Sequence, residues 1–461
     1  MEYVNRQTAA APALPPGPRS PRTVQTLGWM LRPGPFMSRC RERFGDTFTV
    51  RIRNEGTWVF LCDPEDVKGV FTGDPEQLRA GEANVILRPV VGARSVLLLD
   101  EPGHMTQRRL MLPPFHGERM QRYGELMAAV TRSEVERWPV GEPFALWPRM
   151  QAITLEVIMR AVFGLTEADH LGHVRELLRH MLDWTTSPRQ LAFLALRGPA
   201  PVEANRAFRA VMNPVDAAVF ELIARRRQGT DTDGREDILS MLLQARYEDG
   251  TAMSDQELRD ELMTLLVAGH ETTATSLAWT LERLLRHPDQ LGRLREEIAA
   301  GEQEYLDAVI KETLRLRPVL PIVVRRLGQP MRFGGHLLPA GVSVAPCIYL
   351  MHRRPDVYPE PARFRPERFL ERPAGTYTWI PFGGGVRRCL GASFAQFEMA
   401  KVLETVLATA DLRADRPESE QVVRRAITLT PSRRAGAVMV DRRPSRSVHP
   451  APRTEAVASA R

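Results

Sequence analysis

The longest regular pattern of apolar and polar positions runs over residues 254–287. Leu258, Leu262, Leu265 and Leu266 recur at three- and four-residue steps, so they share one side of a helix. Ser254-Asp255-Gln256-Glu257 opens that helix as a capping box, in which hydroxyl and carboxylate each satisfy a free backbone N–H. Pro288 closes it, because its ring cannot continue the hydrogen-bond ladder. The predicted element is far longer than an average globular helix. From residue 100 to about 310 the texture is mainly helical. Ahead of it, Thr47-Phe48-Thr49-Val50-Arg51-Ile52 and Trp58-Val59-Phe60-Leu61 read as strands. Behind it, residues 318–381 break into short strands, turns and prolines, with a hairpin and tight turns over Phe333-Gly334-Gly335-His336-Leu337-Leu338-Pro339-Ala340-Gly341. A last helix is predicted over 392–409. No internal repeat interrupts this order, and the fold class expected is mainly α with small β-sheets at the two ends.

Composition changes this picture little. Of 461 residues, 43% are hydrophobic and 26% charged, an ordinary globular composition, and the length could hold two or three average domains or one unusually large one. No apolar run is long enough to cross a bilayer, so no transmembrane anchor is expected. Residues 1–13 lack the apolar core of a secretion signal, and a cytoplasmic protein is expected. The net charge of +7 sits at the ends: residues 433–461 contribute +5 and residues 1–22 contribute +2, leaving 23–432 neutral. That distribution suggests a flexible basic N-terminal segment (1–22), a folded domain (23–442) and a flexible basic tail (443–461). Within the first segment, Leu14-Pro15-Pro16-Gly17-Pro18 is stiff and marks where order begins. A nucleic-acid binder would concentrate charge on a folded face, so nucleic acid is excluded. The four cysteines form no CxxC pair and no zinc-spaced cluster. Cys40, Cys62 and Cys347 read as small buried residues. Cys389 has different surroundings.

It lies in Phe382-Gly383-Gly384-Gly385-Val386-Arg387-Arg388-Cys389-Leu390-Gly391. Four glycines in ten residues imply an unusual backbone path rather than side-chain packing. A thiol there, just ahead of a helix N-terminus, meets backbone N–H groups and a positive dipole end, which favour thiolate. Such a thiolate suits a metal ligand. Glu312 and Arg315, three apart before Pro318, share a helix face and can pair. By spacing alone this pair is equally a surface ornament. In Ala268-Gly269-His270-Glu271-Thr272-Thr273, mid-way along the long helix, an acid and an alcohol stand together where glycine and hydroxyls loosen the backbone. A proton relay and a packing kink both fit that stretch.

Taken together, the three elements resemble the cytochrome P450 family, of soluble bacterial type and similar to actinobacterial members. The resemblance rests on an [A/G]-G-x-[D/E]-T stretch, an E-x-x-R pair and an F-x-x-G-x-R-x-C-x-G loop, and covers roughly residues 23–442. It implies the triangular, mainly helical fold of that family, with a long central helix over a heme b whose iron is held by the Cys389 thiolate. It further implies that Glu271 and Thr272 deliver protons, and that Arg368, in Phe364-Arg365-Pro366-Glu367-Arg368-Phe369, completes a structural ion network with Glu312 and Arg315. His104, Arg108 and Arg387 match positions that meet the heme propionates. Arg325 is the further cation expected there, with adjacent Arg326 the competing choice.

The activity implied is monooxygenation of a lipophilic small molecule. Electrons would come from separate proteins, a ferredoxin and its NAD(P)H-dependent reductase. Apolar residues in the segments matching the substrate pocket, among them Ile86, Leu97, Leu182, Trp184 and Ile322, agree with a lipophilic substrate. Two other functions are weighed. A peroxide-using peroxygenase of the same fold would tend to lose the acid–alcohol pair, and Glu271-Thr272 is intact. A heme protein that only binds ligand would have no use for it.

Overall fold

The computed structural model describes residues 13–115, 119–165, 171–229 and 237–443. The expected tails lie outside the described residues up to residue 12 and from residue 444 onward. Residues 13–22 are tied down: Thr49 donates its amide to Pro16 O and its hydroxyl to Pro15 O, and Gln25 Nε2 donates to Pro18 O and Ser20 O. Proline carbonyls remain acceptors although the ring nitrogen donates nothing, so this stretch can edge a strand without being one.

The predicted long helix forms from Asp255 to Leu284, with both halves of the capping box closed. It ends about a turn before Pro288, where Leu285–His287 turn under the next helix, Pro288–Ala300. Leu258, Leu262 and Leu266 are buried as the apolar spacing requires. Burial is not confined to that side, however. The helix runs through the middle of the molecule, against Leu146–Ala161, Arg206–Gln228, Glu304–Leu316 and Ala392–Thr409. Several of its polar residues therefore find partners inside the core: Trp147 Nε1 donates to Thr275 Oγ1 (3.1 Å), and Thr154 Oγ1 lies 2.9 Å from His270 Nδ1. Buried polar groups that keep such partners avoid the desolvation penalty that would otherwise break the packing.

Among the described residues the β-structure forms four small sheets. Strands Thr47–Ile52 and Gly56–Leu61 form an antiparallel pair, and the second runs parallel to Ser343–Pro346. Arg325–Leu327 and Leu78–Arg79 complete this five-stranded sheet. Along Arg325–Leu327 the pleat alternates, so Arg325 and Leu327 are buried while Arg326 is exposed. A three-stranded sheet joins Pro143–Ala145, Gly436–Arg442 and Ala410–Ala414, and the hairpin predicted near residue 333 pairs Met331–Phe333 with His336–Leu338. The last helix spans Ala392–Thr409. None of the described helices is long and apolar enough to cross a membrane.

Candidate active site

The glycine-rich loop does take an unusual path. Gly383 and Gly385 have φ of 67° and 65°, a region that side chains disfavour. Gly384 and Gly385 also lie against Phe71: a Cβ at Gly384 would come within 2.2 Å of the Phe71 ring. The loop closes where Cys389 N donates to Phe382 O at 2.9 Å, and Gly391 then starts the helix Ala392–Thr409 without a side-chain cap. Of the four cysteines only Cys389 is exposed, and its thiol is at the same time densely surrounded by protein. That combination places it on the wall of a recess. Burial pushes its thiol above the ordinary range, while the Gly391 N–H, Arg108 and Arg388 pull the other way. The helix-end effect expected from sequence is present, but in the protein alone desolvation outweighs it.

The central helix has an open face to match. Ala268 is exposed, and Leu265, Gly269 and Thr272 are partly so, in a helix that is mostly buried beyond its first turn. Spacings of three, four and seven put these residues on one side. Leu265 packs on the same core cluster as Phe382 and Leu390 of the cysteine loop. Thr272 donates its hydroxyl proton to Ala268 O (2.5 Å), leaving its oxygen free to accept on this open face. Glu271 points elsewhere, since neighbours on a helix are about 100° apart. Its Oε2 accepts from Gln151 Nε2 (2.9 Å), its Oε1 is buried without a partner, and burial raises its pKa against the pull of Arg425. The acid and the alcohol adjacent in sequence are thus not hydrogen-bonded to each other in the structure.

Near Cys389 a set of cations converges. Arg108, half-buried on the helix Gly103–Met111, makes no side-chain hydrogen bond or ion pair among the described residues, and desolvation lowers its pKa. Arg325 is buried and donates only to Val324 O, and burial pushes it down to about 10, with Arg387 adding repulsion. Arg387 donates to Leu99 O (2.6 Å) and Asp100 Oδ1 (3.1 Å), while its Nε is buried with no partner. His104, 2% exposed, holds Glu101 Oε1 at 2.7 Å through Nδ1, and burial with Arg387 nearby lowers it to about 4. Arg326 instead faces outward, 3.5 Å from Glu82. Asp100 and Glu101 leave this cation set undercompensated, and its unused guanidinium N–H groups fit a ligand bearing two carboxylates.

The third group lies behind the loop. Glu312 and Arg315 are both fully buried, and Arg315 Nε and Nη2 reach the two carboxylate oxygens at 2.7 and 2.9 Å. Arg368 Nε approaches the same carboxylate at 3.1 Å, and Arg365 N donates to it at 2.8 Å. The structure thus brings Glu312, Arg315 and Arg368 together in the interior. Two residues that sequence patterns do not single out extend this network to the cysteine loop. His352 accepts at its carbonyl from Arg315 Nη1 (2.7 Å) and at its Nε2 from Ile380 N (2.9 Å). Trp379 Nε1 donates to Lys311 O (3.1 Å). A lone histidine and a lone tryptophan carry no spacing signal, so only the fold reveals them.

Comparison with known proteins agrees with this geometry. The Cytochrome P450 family model matches residues 15–434. The chain is 42% identical to cytochrome P450 135B1 of Mycobacterium tuberculosis over 435 residues, covering 92% of this chain and 90% of that protein. It is 38% identical to cytochrome P450 137 of the same organism over 397 residues, covering 86% and 83%. Among solved structures, the cytochrome P450DA heme domain superposes with a TM-score of 0.81 at 25% identity, covering 94% of this chain and 99% of that one. A retinoic acid-bound cyanobacterial CYP120A1 shares the fold with a TM-score of 0.82 at 24% identity, covering 93% and 99%. The accessible cysteine in its glycine loop, the open helix face and the undercompensated cations are thus features of a chain that belongs to the cytochrome P450 family, the heme-thiolate monooxygenases.

Proposed function

We propose that Cys389 would hold the iron of heme b as its thiolate ligand, and that Arg108, Arg325, Arg387 and His104 would hold its propionates. The observation that carries this reading is the undercompensated cation set beside the one exposed cysteine. Bound there, heme supplies the oxygen-activating chemistry, which thiolate donation favours. Arg325 is preferred to Arg326 because the pleat buries one and exposes the other. Neutral His104, with its Nδ1 proton given to Glu101, presents only a lone pair at Nε2. It would donate to a bound propionate only as imidazolium, a form that a second carboxylate beside Nε2 would favour.

Thr272 lies on the open face of the central helix, and its hydroxyl oxygen can accept a proton donor there. Glu271 serves as proton source: burial keeps its carboxyl protonated more readily than usual, and its unpartnered Oε1 leaves it free to turn. Glu312, Arg315 and Arg368 form the structural ion network behind the loop. Leu265 and Ala268 on the same open face support a lipophilic small-molecule substrate. Family members take their electrons from redox partners. Here we assign a ferredoxin with its NAD(P)H-dependent reductase, in a cytoplasmic setting. Exposed Arg388 beside Cys389 offers positive charge to an acidic donor.

Carbon monoxide added to the reduced protein tests the assignment. A strongly red-shifted, thiolate-type Soret band is expected from the wild type and not from Cys389→Ser, whose oxygen is a harder, weaker donor. A heme-loaded Cys389→Ser protein that keeps the band would sink it.

A further inference from the structure

The first turns of the central helix bury two consecutive carboxylates, Asp260 (1% exposed) and Glu261 (0%). Neither touches the recess, and no step above uses them. Both instead hold the loop of residues 92–100. Arg94 N donates to Asp260 Oδ2 (2.9 Å), Val96 N donates to Glu261 Oε1 (2.7 Å), and Thr264 Oγ1 donates to Ser95 Oγ between them (2.6 Å). Gly92 makes the approach possible, since a Cβ there would stand 2.1 Å from Asp260 Oδ1.

Glu261 Oε1 also accepts from Gln107 Nε2 (3.1 Å), whose own oxygen accepts from Tyr247 OH (2.8 Å). Gln107 sits on the helix Gly103–Met111, beside Arg108 and three residues from His104. On the loop's other side, Arg387 donates to Leu99 O (2.6 Å) and more weakly to Val96 O (3.4 Å). The backbone of one residue, Val96, therefore connects Glu261 to Arg387, through its N–H on one side and its carbonyl on the other. One carboxyl oxygen meets both the loop and the helix that present the cations of the proposed heme site.

We infer that Glu261 is a positioning residue that registers the 92–100 loop and the helix Gly103–Met111 against the central helix, thereby setting Arg387, Arg108 and His104. This rests on the assignment of those cations to the heme propionates. Two N–H donors converge on Oε1, while Oε2 is buried without a partner. The neutral acid fits this arrangement, with its carbonyl oxygen accepting and its proton on Oε2. Desolvation pushes the carboxyl up to about 8, and its neighbours Asp260 and Glu257 add to that while Val96 N and Gln107 oppose it. Tyr247 and Arg94 also stand close by, on the elements packed against it. Because the folded-state value is raised, the stabilising neutral form is lost as pH climbs through about 8.

Heme release to excess apomyoglobin, followed by absorbance, tests this without turnover. Glu261→Gln keeps a carbonyl acceptor at the Oε1 position and should release heme at the wild-type rate near pH 7. Glu261→Leu removes the acceptor and should release heme about tenfold faster, the usual scale for an outer-shell partner. Release from the wild type should quicken between pH 7 and 9, and Glu261→Gln should flatten that rise. Wild-type release from Glu261→Leu would overturn the inference, as would a rise with pH that survives in Glu261→Gln. If Glu261→Leu does not fold, the pH profile of Glu261→Gln decides alone. Arg387→Leu separates the two levels: unchanged release there would overturn the propionate assignment itself, whatever Glu261 does.

Discussion

Arg315 meets Glu312 through two parallel hydrogen bonds, and its remaining donors go to the carbonyls of His352, Pro361 and Arg363. Every N–H of the guanidinium that points inward is thereby matched, which is what lets a full charge pair sit at zero exposure. The pair does not touch the recess. It joins the helix Glu304–Leu316 to the segment that leads into the cysteine loop.

Glu312→Ala and Arg315→Ala should each lower folded yield and heme content, because each leaves one buried charge without its partner, at a cost of about 3–5 kcal/mol. Absorbance per mole of purified protein and urea unfolding would measure both. A stable, fully heme-loaded Arg315→Ala protein would contradict the structural role.

Thr272→Ala should uncouple electron use from product formation while leaving substrate binding intact. The lost proton-delivery contribution is on the order of 10²-fold or more in product formation. With a surrogate ferredoxin and reductase, product and hydrogen peroxide would be counted per NAD(P)H consumed. Unchanged coupling would make Thr272 a packing residue, and peroxide-driven turnover matching the electron-driven rate would favour a peroxygenase.

Arg325→Leu and Arg326→Leu should differ. The first removes a buried, nearly unpartnered cation and should weaken heme retention about tenfold. The second alters only an exposed side chain near Glu82 and should leave retention as it was. Equal losses from the two variants would mean that the strand's pleat does not select the propionate ligand.

His270 makes stability fall on the acid side. It is buried beside Thr154, and burial lowers it to about 4 from an ordinary 6.5, so the unfolded chain binds the proton more tightly. A depressed histidine leaves its stabilisation intact above pH 6.5, and the loss grows as pH drops toward 4. Between pH 7 and pH 5 that amounts to about 2 kcal/mol. His352 is depressed as well and adds to the total, so the comparison is one of slopes. Urea unfolding of His270→Asn at the two pH values should recover about 2 kcal/mol of the wild-type difference. A variant with the same acid sensitivity would show that the proton goes elsewhere.

Much of the framework was legible from local rules. The capping box and leucine spacing located the central helix, and both halves of the box are closed in the structure. Glycines 383 and 385 announced a backbone that side chains could not follow, and both have positive φ. The last helix, Ala392–Thr409, was expected over that span and leads away from Cys389, whereas the helix Gly103–Met111, which carries His104 and Arg108, was legible only as part of a mainly helical stretch. The three motifs sufficed to place the chain in its family. These features depend on neighbours within a few residues, which is the range over which sequence pattern reports structure.

What the sequence determined by itself was therefore the succession of elements, the loop holding Cys389 and the family. Only the tertiary structure decided which groups face one another. Arg325 and Arg326 are indistinguishable as letters, and the pleat of one strand buries the first and exposes the second. Glu271 and Thr272 are neighbours along the chain, yet helical geometry sends one carboxylate to Gln151 and leaves the hydroxyl on the open face. His352, Trp379 and Glu261 matter through partners 28, 68 and 165 residues away in sequence. A hydrogen bond is specified by distance and angle in space, and separation along the chain carries neither until the chain has folded.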